Sequence, residues 1–524
     1  MMMTSKLLRN FVPAALLATG LGAIAVAQTQ PAAQPAQNAQ PPAALIMPPG
    51  GAPRSFADLT ARLAPAVVNV STTQKVEIGR MRRMPGQPGN PLEEFFRRFQ
   101  EQQDGGEPVT REATSLGSGF IIAADGYVVT NNHVISSGRN RNEPVESITV
   151  TLSDRREYKA RVVGRDPLTD LAVLKIEATG LPYVQFGNSQ SVRVGDWAIA
   201  IGNPFGLGGT VTAGIVSALH RDIGSGQYDR YIQTDASINQ GNSGGPLFDL
   251  AGNVIGINTA IFSPTGGNVG LGFSIPAELA KPVVDQLKAT GTVKRGYLGV
   301  AIQRLTVDIA DGLGLPKDRG EIVANVEPNG PAARAGIRQG DVILTVGGRE
   351  VNYDNSLSYL IATTPIGTTV PVELLRGGKR ITVNALVAQR PSEAVVAQRA
   401  GLPADDEDAP ADADTKAPGI EAARASLGIT LQPLTDTLRQ QLRIDDKVAG
   451  VVIAGINPSS DAATKGLQRG DIILKIGQKG VTTPADAAAA VDAERKAGKD
   501  TVLMLVQRGS TPPVYRGIKL MPVK

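Results

Sequence analysis

Residues 241–246 read GNSGGP: one hydroxyl set among glycines and closed by a proline. Glycine loses more backbone entropy on folding than any other residue, so a cluster of it around one small polar side chain calls for a reason. A tight surface turn is one, because Gly, Asn, Ser and Pro all form turns. A nucleophile is the other, with backbone N–H groups free to crowd the atom that Ser243 attacks. A serine hydroxyl is weak until a base takes its proton, and the base needs an acid to orient it. The choice of base is narrow, since the chain has only two histidines in 524 residues. His220, in VSALHRD, falls at a strand end beside charges, where an exposed histidine needs no special role. His133, in VVTNNHVI, follows an apolar strand; in isolation a partly buried core histidine is the competing reading. Asp170, in DPLTDLAVLKI, opens an apolar strand, where a buried carboxylate needs a partner. An imidazolium is such a partner, and Asp170 would also fix the tautomer of the ring.

The order His133, Asp170, Ser243 is that of chymotrypsin-type enzymes; hydrolases of α/β fold and subtilisins run differently. GNSGGP is the most specific of the three strings, TNNHV less so and TDLAV least. Their order on an all-β background is what joins them. In this geometry the N–H groups of Gly241 and Ser243 converge on the developing oxyanion, and a bulkier residue at 241 would hinder that peptide. With no cysteine there is no disulfide, thiol nucleophile or thiolate metal site, and two histidines exclude a His-rich one. No metal or cofactor is therefore expected. A net charge of +4 without a dense Lys/Arg block argues against nucleic acid.

The elements that must hold these residues are short and β-rich. GSGFIIA, GYVVTNN, SITVTL, YKARVVG, DLAVLKI, DWAIAIG, GTVTAGIVSAL, YIQTDA, NVIGINTAIF and GLGFSIP follow one another between Gly, Asn, Asp and Pro. Many short strands with turn signals indicate an all-β barrel or sandwich. SFADLTARLAP, 55–65, reads as a short helix capped by Ser55 and stopped by Pro65, and PAELAKPVVDQLKATG as a closing helix with Gly291 just past its end. Residues 76–113 form a long Pro/Gly/Gln-rich insertion with Phe95, Phe96 and Phe99 at helical spacing, either a docking element or a cover for local core.

Both ends of the chain carry further signals. Lys6 and Arg9 precede the apolar run 11–27, which ends Ala25-Val26-Ala27, the pattern of a cleaved export signal. A retained anchor is the alternative, but the run falls short of the ~20 residues a spanning helix needs and contains Pro13, Gly20 and Gly22. Residues 28–54 are an Ala/Pro/Gln-rich leader that cannot build a core. In the C-terminal half NGPAARAGIRQGDVILTVGGREV (329–351) matches SSDAATKGLQRGDIILKIGQKGV (459–481) without a gap at an offset of 130, so that Asp341 falls on Asp471. Two tandem copies of one domain follow. Between them, 391–423 is acidic but lacks the central Gly and terminal Glu of a calcium loop, and reads as a solvated linker.

The strings GSGFII, YVVTNNHVI, DPLTDLAVLKI, AIGNPFGLGGTVTAGIVSAL, YIQTDASINQGNSGGPL and GLGFSIP resemble the HtrA family of serine proteases, close to its DegP/DegQ type. The resemblance covers roughly 55–524. It implies a mainly β chain: a chymotrypsin-like double β-barrel protease domain over 55–293, a first PDZ domain over 294–390 and a second over 424–524. It implies His133 as base, Asp170 as its orienter, Ser243 as nucleophile, and Gly241 and Ser243 as oxyanion donors. The carboxylate-binding loops would be Tyr297, Leu298, Gly299 and Val300 in the first PDZ domain and Ser426, Leu427, Gly428 and Ile429 in the second. The implied function is an ATP-independent periplasmic endopeptidase for unfolded or mislocalised envelope proteins, with a place in protein quality control and stress response. Trimers or assemblies of trimers, PDZ binding of substrate or activating C-termini, chaperone activity and peripheral membrane association are further expectations. A peptide-binding holdase in which the PDZ pair does the main work is the reading from another class.

Overall fold

The computed structural model describes residues 53, 55–76, 111–137, 143–204, 209–264, 266–317, 319–392, 395 and 426–521. The expected export signal, nearly all of the leader, the aromatics Phe95, Phe96 and Phe99, and most of the acidic linker lie outside them. Helix α1 (Ala57–Leu63) has Phe56 at its N-cap position, one residue after the expected Ser55, and no side-chain cap bond there. Phe56 instead packs edge-on against Trp197, with ring centroids 5.5 Å apart. Burying an aromatic ring is worth more than the ~1 kcal/mol of a cap. Pro65 lies in a one-turn 3-10 segment, Ala64–Ala66, that leads directly into the first strand.

Strands β1 (Val67–Val76), β2 (Arg111–Ala123), β3 (Tyr127–Asn131), β4 (Ser147–Thr151), β5 (Glu157–Asp166) and β6 (Leu171–Ile176) close a barrel in the order β1-β2-β3-β6-β5-β4. Strands β7 (Trp197–Gly202), β8 (Thr210–Arg221), β9 (Tyr231–Thr234), β10 (Pro246–Phe248), β11 (Val254–Ile261) and β12 (Gly272–Pro276) close a second, in the order β8-β9-β12-β11-β10-β7. Neighbours pair antiparallel, as Val67↔Phe120 and Asn131↔Leu171 show. Closure removes open sheet edges from both barrels. All eight residues of β11 are buried, because the strand lines its own barrel on one face and the seam between barrels on the other. That seam is one continuous apolar cluster in which Phe120, Val129 and Leu171 of the first barrel meet Ile201, Phe248 and Ile257 of the second. Helix α2 (Ala277–Thr290) packs Val283, Val284 and Leu287 onto the same cluster. It stops where the sequence predicts, at Gly291, whose φ of 74° and N–H to Leu287 O close the last turn.

The C-terminal half builds the same sheet twice. Strands β13 (Val300–Arg304), β14 (Glu321–Val326), β15 (Val342–Val346), β16 (Thr369–Arg376) and β17 (Lys379–Leu386) lie in chain order across one sheet. Strands β18 (Ile429–Pro433), β19 (Val451–Ile456), β20 (Ile472–Ile476), β21 (Thr501–Gln507) and β22 (Val514–Lys519) repeat that order in another. The matching aspartates have matching partners. Asp341 accepts from Arg376 Nε and Nη2, both at 2.7 Å, and Asp471 from Arg508 Nε and Nη2 at 2.6 and 2.8 Å. Each arginine also donates to a turn carbonyl, Gly336 or Gly466.

The repeats dock through polar and apolar contacts. Gln303 grips the backbone of Tyr515 in β22, donating to its carbonyl at 2.8 Å and accepting its N–H at 2.7 Å. Leu305 and Ile309 pack against Leu503, Leu505 and Tyr515, and Lys465 pairs with Asp308. Toward the barrels, Arg304 pairs with Asp222 at 2.7 Å and the His220 ring with Asp354 at 3.1 Å. His220 is thus a junction residue rather than a merely exposed one, and it sits near the end of β8 with a φ of 56°. Arg230 is buried, with Glu278 at 3.1 Å, Asn355 Oδ1 at 3.0 Å and the Tyr359 ring 4.1 Å beneath its guanidinium.

Beside Arg230, Asp229 accepts from Ser225 N–H and Ser225 Oγ, each at 2.7 Å. Burial nevertheless pushes its carboxyl up from 3.8 to about 6. The folded value is the raised one, so the stability it contributes is complete below 3.8 and is lost as pH rises through about 6. Asp229→Asn removes that loss. Thermal unfolding of the two proteins from pH 4 to pH 7.5 should show the variant gaining on wild type as pH rises from ~4 to ~6 and keeping that gain above it, with parallel curves excluding this origin.

Candidate active site

The site lies where the two barrels meet. His133 stands in a one-turn segment, Asn132–Ile135, directly after β3, and Asp170 immediately precedes β6. Because β3 and β6 are neighbours and Asn131 pairs with Leu171, the end of one strand faces the start of the other. His133 Nδ1 is 2.6 Å from Asp170 Oδ2, with the side chains 8% and 17% exposed. The His133 N–H donates to Asp170 Oδ1 at 2.9 Å, and Thr259 Oγ1 to Oδ2 at 2.8 Å. Asp170 is half-buried rather than fully buried, and these donors hold both of its oxygens. Its backbone carbonyl is held as well, by Asn132 N–H at 3.0 Å and Asn131 Nδ2 at 2.9 Å. An ionised carboxylate only accepts, so the ring proton is assigned to Nδ1 and Nε2 is left as the acceptor a general base needs.

Asp170 has a φ of 55°. For an L-residue this backbone costs about 1–2 kcal/mol, and aspartate is among the few that adopt it. The preceding turn holds it there. Thr169 Oγ1 donates to Asp166, and Asp166 takes Arg295 Nη1 at 3.0 Å and Nη2 at 2.5 Å in a buried pair. Arg295 also stacks over the Tyr228 ring at 5.0 Å. The opening residues of the first repeat therefore brace the turn that presents Asp170.

Ser243 lies on the turn between β9 and β10, next to the segment that carries His133. Gly241 and Gly244 have φ of 96° and 86°. A Cβ on Gly241 would meet Pro204 at 2.4 Å, and one on Gly244 would meet Ser118 O at 2.2 Å and Thr130 Oγ1 at 2.4 Å. Both glycines are therefore required by conformation and by space. The turn's carbonyls are tied down: Gly241 O accepts from Ser118 Oγ at 2.5 Å and Ser243 O from Ser118 N–H at 2.8 Å. Gly244 N–H donates to Asn258 O at 2.8 Å and Gly245 N–H to Asn242 O at 3.0 Å. Among the described residues the N–H groups of Gly241 and Ser243 donate to nothing, so the turn offers these two amides to an incoming anion.

Of the two hydrogen bonds a Ser-His-Asp relay needs, the Asp170–His133 bond is made. Among the described residues Ser243 Oγ forms none, and such base–nucleophile contacts commonly close only when substrate is bound. Next to the turn, Asn268 Nδ2 donates to Ile238 O at 3.0 Å, and Ile238 lies against Gly272, where a Cβ would meet Ile238 Cγ1 at 2.8 Å. In the repeats, Tyr297–Val300 and Ser426–Ile429 each lead into an edge strand, β13 or β18. Four supporting residues are not singled out by sequence reasoning: Thr259, Ser118, Asp166 and Arg295. Asp166 and Thr169 stand inside DPLTD, and a second carboxylate four residues before the first was the available signal.

The arrangement fits acyl transfer, with a base on an oriented imidazole, a hydroxyl on a glycine turn and two amides for an oxyanion. A trypsin-like peptidase domain model matches residues 117–257, and PDZ domain models match 296–387 and 420–507. A probable periplasmic serine endoprotease DegP-like of Brucella suis is 43% identical over 476 residues, spanning 86% of this chain and 87% of the relative. Its namesake in Rhizobium meliloti is 40% identical over 498 residues, spanning 90% and 93%. Among solved structures, HtrA-type protease AlgW with a tripeptide superposes with a TM-score of 0.52 at 42% identity, covering 65% of this chain and 99% of that one. The same protease with a decapeptide gives 0.51 at 42% identity, covering 64% and 99%.

Thr259→Val removes one donor to Asp170 without changing side-chain size. Peptide hydrolysis should fall about tenfold in kcat, roughly 1.4 kcal/mol, with KM nearly unchanged. An unchanged kcat would show that Thr259 does not help to orient Asp170.

Proposed function

The chain belongs to the HtrA family of serine proteases, in its DegP-like branch, and on that footing we propose that it is an exported, ATP-independent endopeptidase that cleaves unfolded or mislocalised proteins of the cell envelope. A periplasmic location is supported by the names of the relatives. Peptide capture by the PDZ domains is supported by the peptides in the HtrA-type structures. The observation that carries the catalytic reading is the His133–Asp170 pair at 2.6 Å beside a serine turn with two undonated amides.

In this reading Ser243 Oγ attacks the scissile carbonyl while His133 Nε2 takes its proton. The carbonyl oxygen becomes an oxyanion held by Gly241 N–H and Ser243 N–H. Asp170 stays ionised and stabilises the imidazolium through Nδ1. Collapse breaks the C–N bond, and the leaving amine takes the proton from Nε2. The acyl group on Ser243 is then released by water, activated by the same base. We further propose the trimer, or multiples of it, as the working assembly.

The test is cleavage of casein and labelling by an active-site fluorophosphonate. Wild type should do both, and Ser243→Ala neither, with a loss in rate of the order of 10⁶. Robust cleavage by the alanine variant would reject the assignment. If that variant still suppresses aggregation of a denatured client, a chaperone activity accompanies the protease.

A further inference from the structure

The chain holds a second serine with a glycine on each side, Gly117-Ser118-Gly119, and its place in the fold explains the pattern. The three residues lie on β2, against the turn that carries Ser243. A Cβ on Gly117 would stand 2.7 Å from both methyls of Val134, the neighbour of His133, and 3.2 Å from Ser243 O. One on Gly119 would stand 2.8 Å from Val129 O. Bare backbone on both sides of Ser118 thus lets β2 lie close against the histidine segment and the serine turn together. Ser118 itself is fully buried.

Its hydroxyl donates to Gly241 O at 2.5 Å and accepts the Asn203 N–H at 2.8 Å. Its main-chain N–H donates to Ser243 O at 2.8 Å, and its carbonyl accepts from Thr130 Oγ1 at 2.7 Å. Gly241 and Ser243 are the two residues whose amides face the oxyanion, so one residue holds the carbonyls of both. Gly241 needs such a hold, because a glycine at φ 96° has no side chain to limit its rotation. Pro204 Cβ lies 2.4 Å from where a Cβ of Gly241 would stand and closes one direction of movement. The Asn203 N–H comes from the end of β7, in the second barrel, and Asn203 O is held by Asn69 Nδ2 at 3.0 Å. Asn69 stands directly opposite Ser118 across β1 and β2. With a lone pair taken by Asn203, the hydroxyl proton of Ser118 is directed at Gly241 O.

We infer that Ser118 is a positioning residue for the transition state. Its hydroxyl stops the peptide that follows Gly241 from rotating, and so keeps the Gly241 N–H aimed at the oxygen that takes up charge. This rests on the reading of Gly241 and Ser243 as the oxyanion donors. Full negative charge reaches that oxygen only after Ser243 has attacked. Loss of the Ser118 hydroxyl therefore falls on kcat and spares the binding of substrate.

The experiment uses the full chain, a chromogenic peptide amide and a peptidyl trifluoromethyl ketone of the same sequence. The ketone carbon bonds Ser243 Oγ, the hydroxyl proton passes to His133, and the ketone oxygen becomes the anion. Ser118→Ala should lower kcat at least about tenfold with KM within about twofold, and should raise Ki of the ketone by the factor that kcat/KM loses. The acid limb of kcat/KM against pH should stay in place, since the His133–Asp170 pair is untouched. Ser118→Cys keeps the shape with a weaker donor and should fall between the two; the chain has no other cysteine to pair with it. Circular dichroism and melting show whether each variant is folded, and the cysteine variant decides the matter if the alanine one is not. A folded variant with kcat unchanged, or with a ketone Ki that does not follow kcat/KM, overturns the inference. If the ketone does not inhibit wild type at all, the reading of the turn as an oxyanion site has failed on its own account, whatever the variants do.

Discussion

One carboxylate has to remain charged, stationary and half-covered for the rest of the site to matter. Asp170 meets all three requirements through its neighbours: the Asn132 and His133 amides, the Asn131 side chain, Thr259 and the His133 ring itself. These donors come from both barrels, since Thr259 belongs to β11 and the others to the end of β3 and the turn after it. The first barrel builds the His133–Asp170 pair itself, and the second adds the Thr259 donor only while the barrels are in register with one another. Their shared apolar seam is therefore as much a part of the chemistry as the side chains above it.

A similar dependence runs in the other direction, from the repeats to the barrels. Arg295 of the first repeat braces the Asp170 turn through Asp166, and Arg230 of the second barrel reaches back between α2 and the helix holding Tyr359. Neither pair is a surface contact worth only a few tenths of a kcal/mol. Breaking a buried pair strands a charge, so the junction favours one arrangement strongly over small departures from it. Neighbouring Asp229, held part-way between charged and neutral near pH 6, gives the same junction a dependence on acidity.

Much of this was legible in the chain because the informative residues are rare. Two histidines and no cysteine reduce the catalytic options to one sensible base. Glycines at 241 and 244 announce a turn that only they can make, and the gapless repeat announces two copies of one sheet. What was not legible depends on pairing across the fold. Thr259 is one threonine among many until β11 sets it beside Asp170. His220 looks exposed until a loop more than a hundred residues away places Asp354 against it. Ser55 illustrates the converse: the helix begins one residue later than that local signal, with Phe56 at the N-cap packed on Trp197.

The side-chain clasp of Gln303 on Tyr515 bears on how the second repeat keeps its outer strand from open-ended pairing. β22 is the last strand of its sheet, and an unpaired rim is a template for any extended chain to join. By occupying both main-chain groups of Tyr515, a single glutamine amide blocks a rung near the start of that rim. A stray strand cannot zip along it without first prying the two repeats apart.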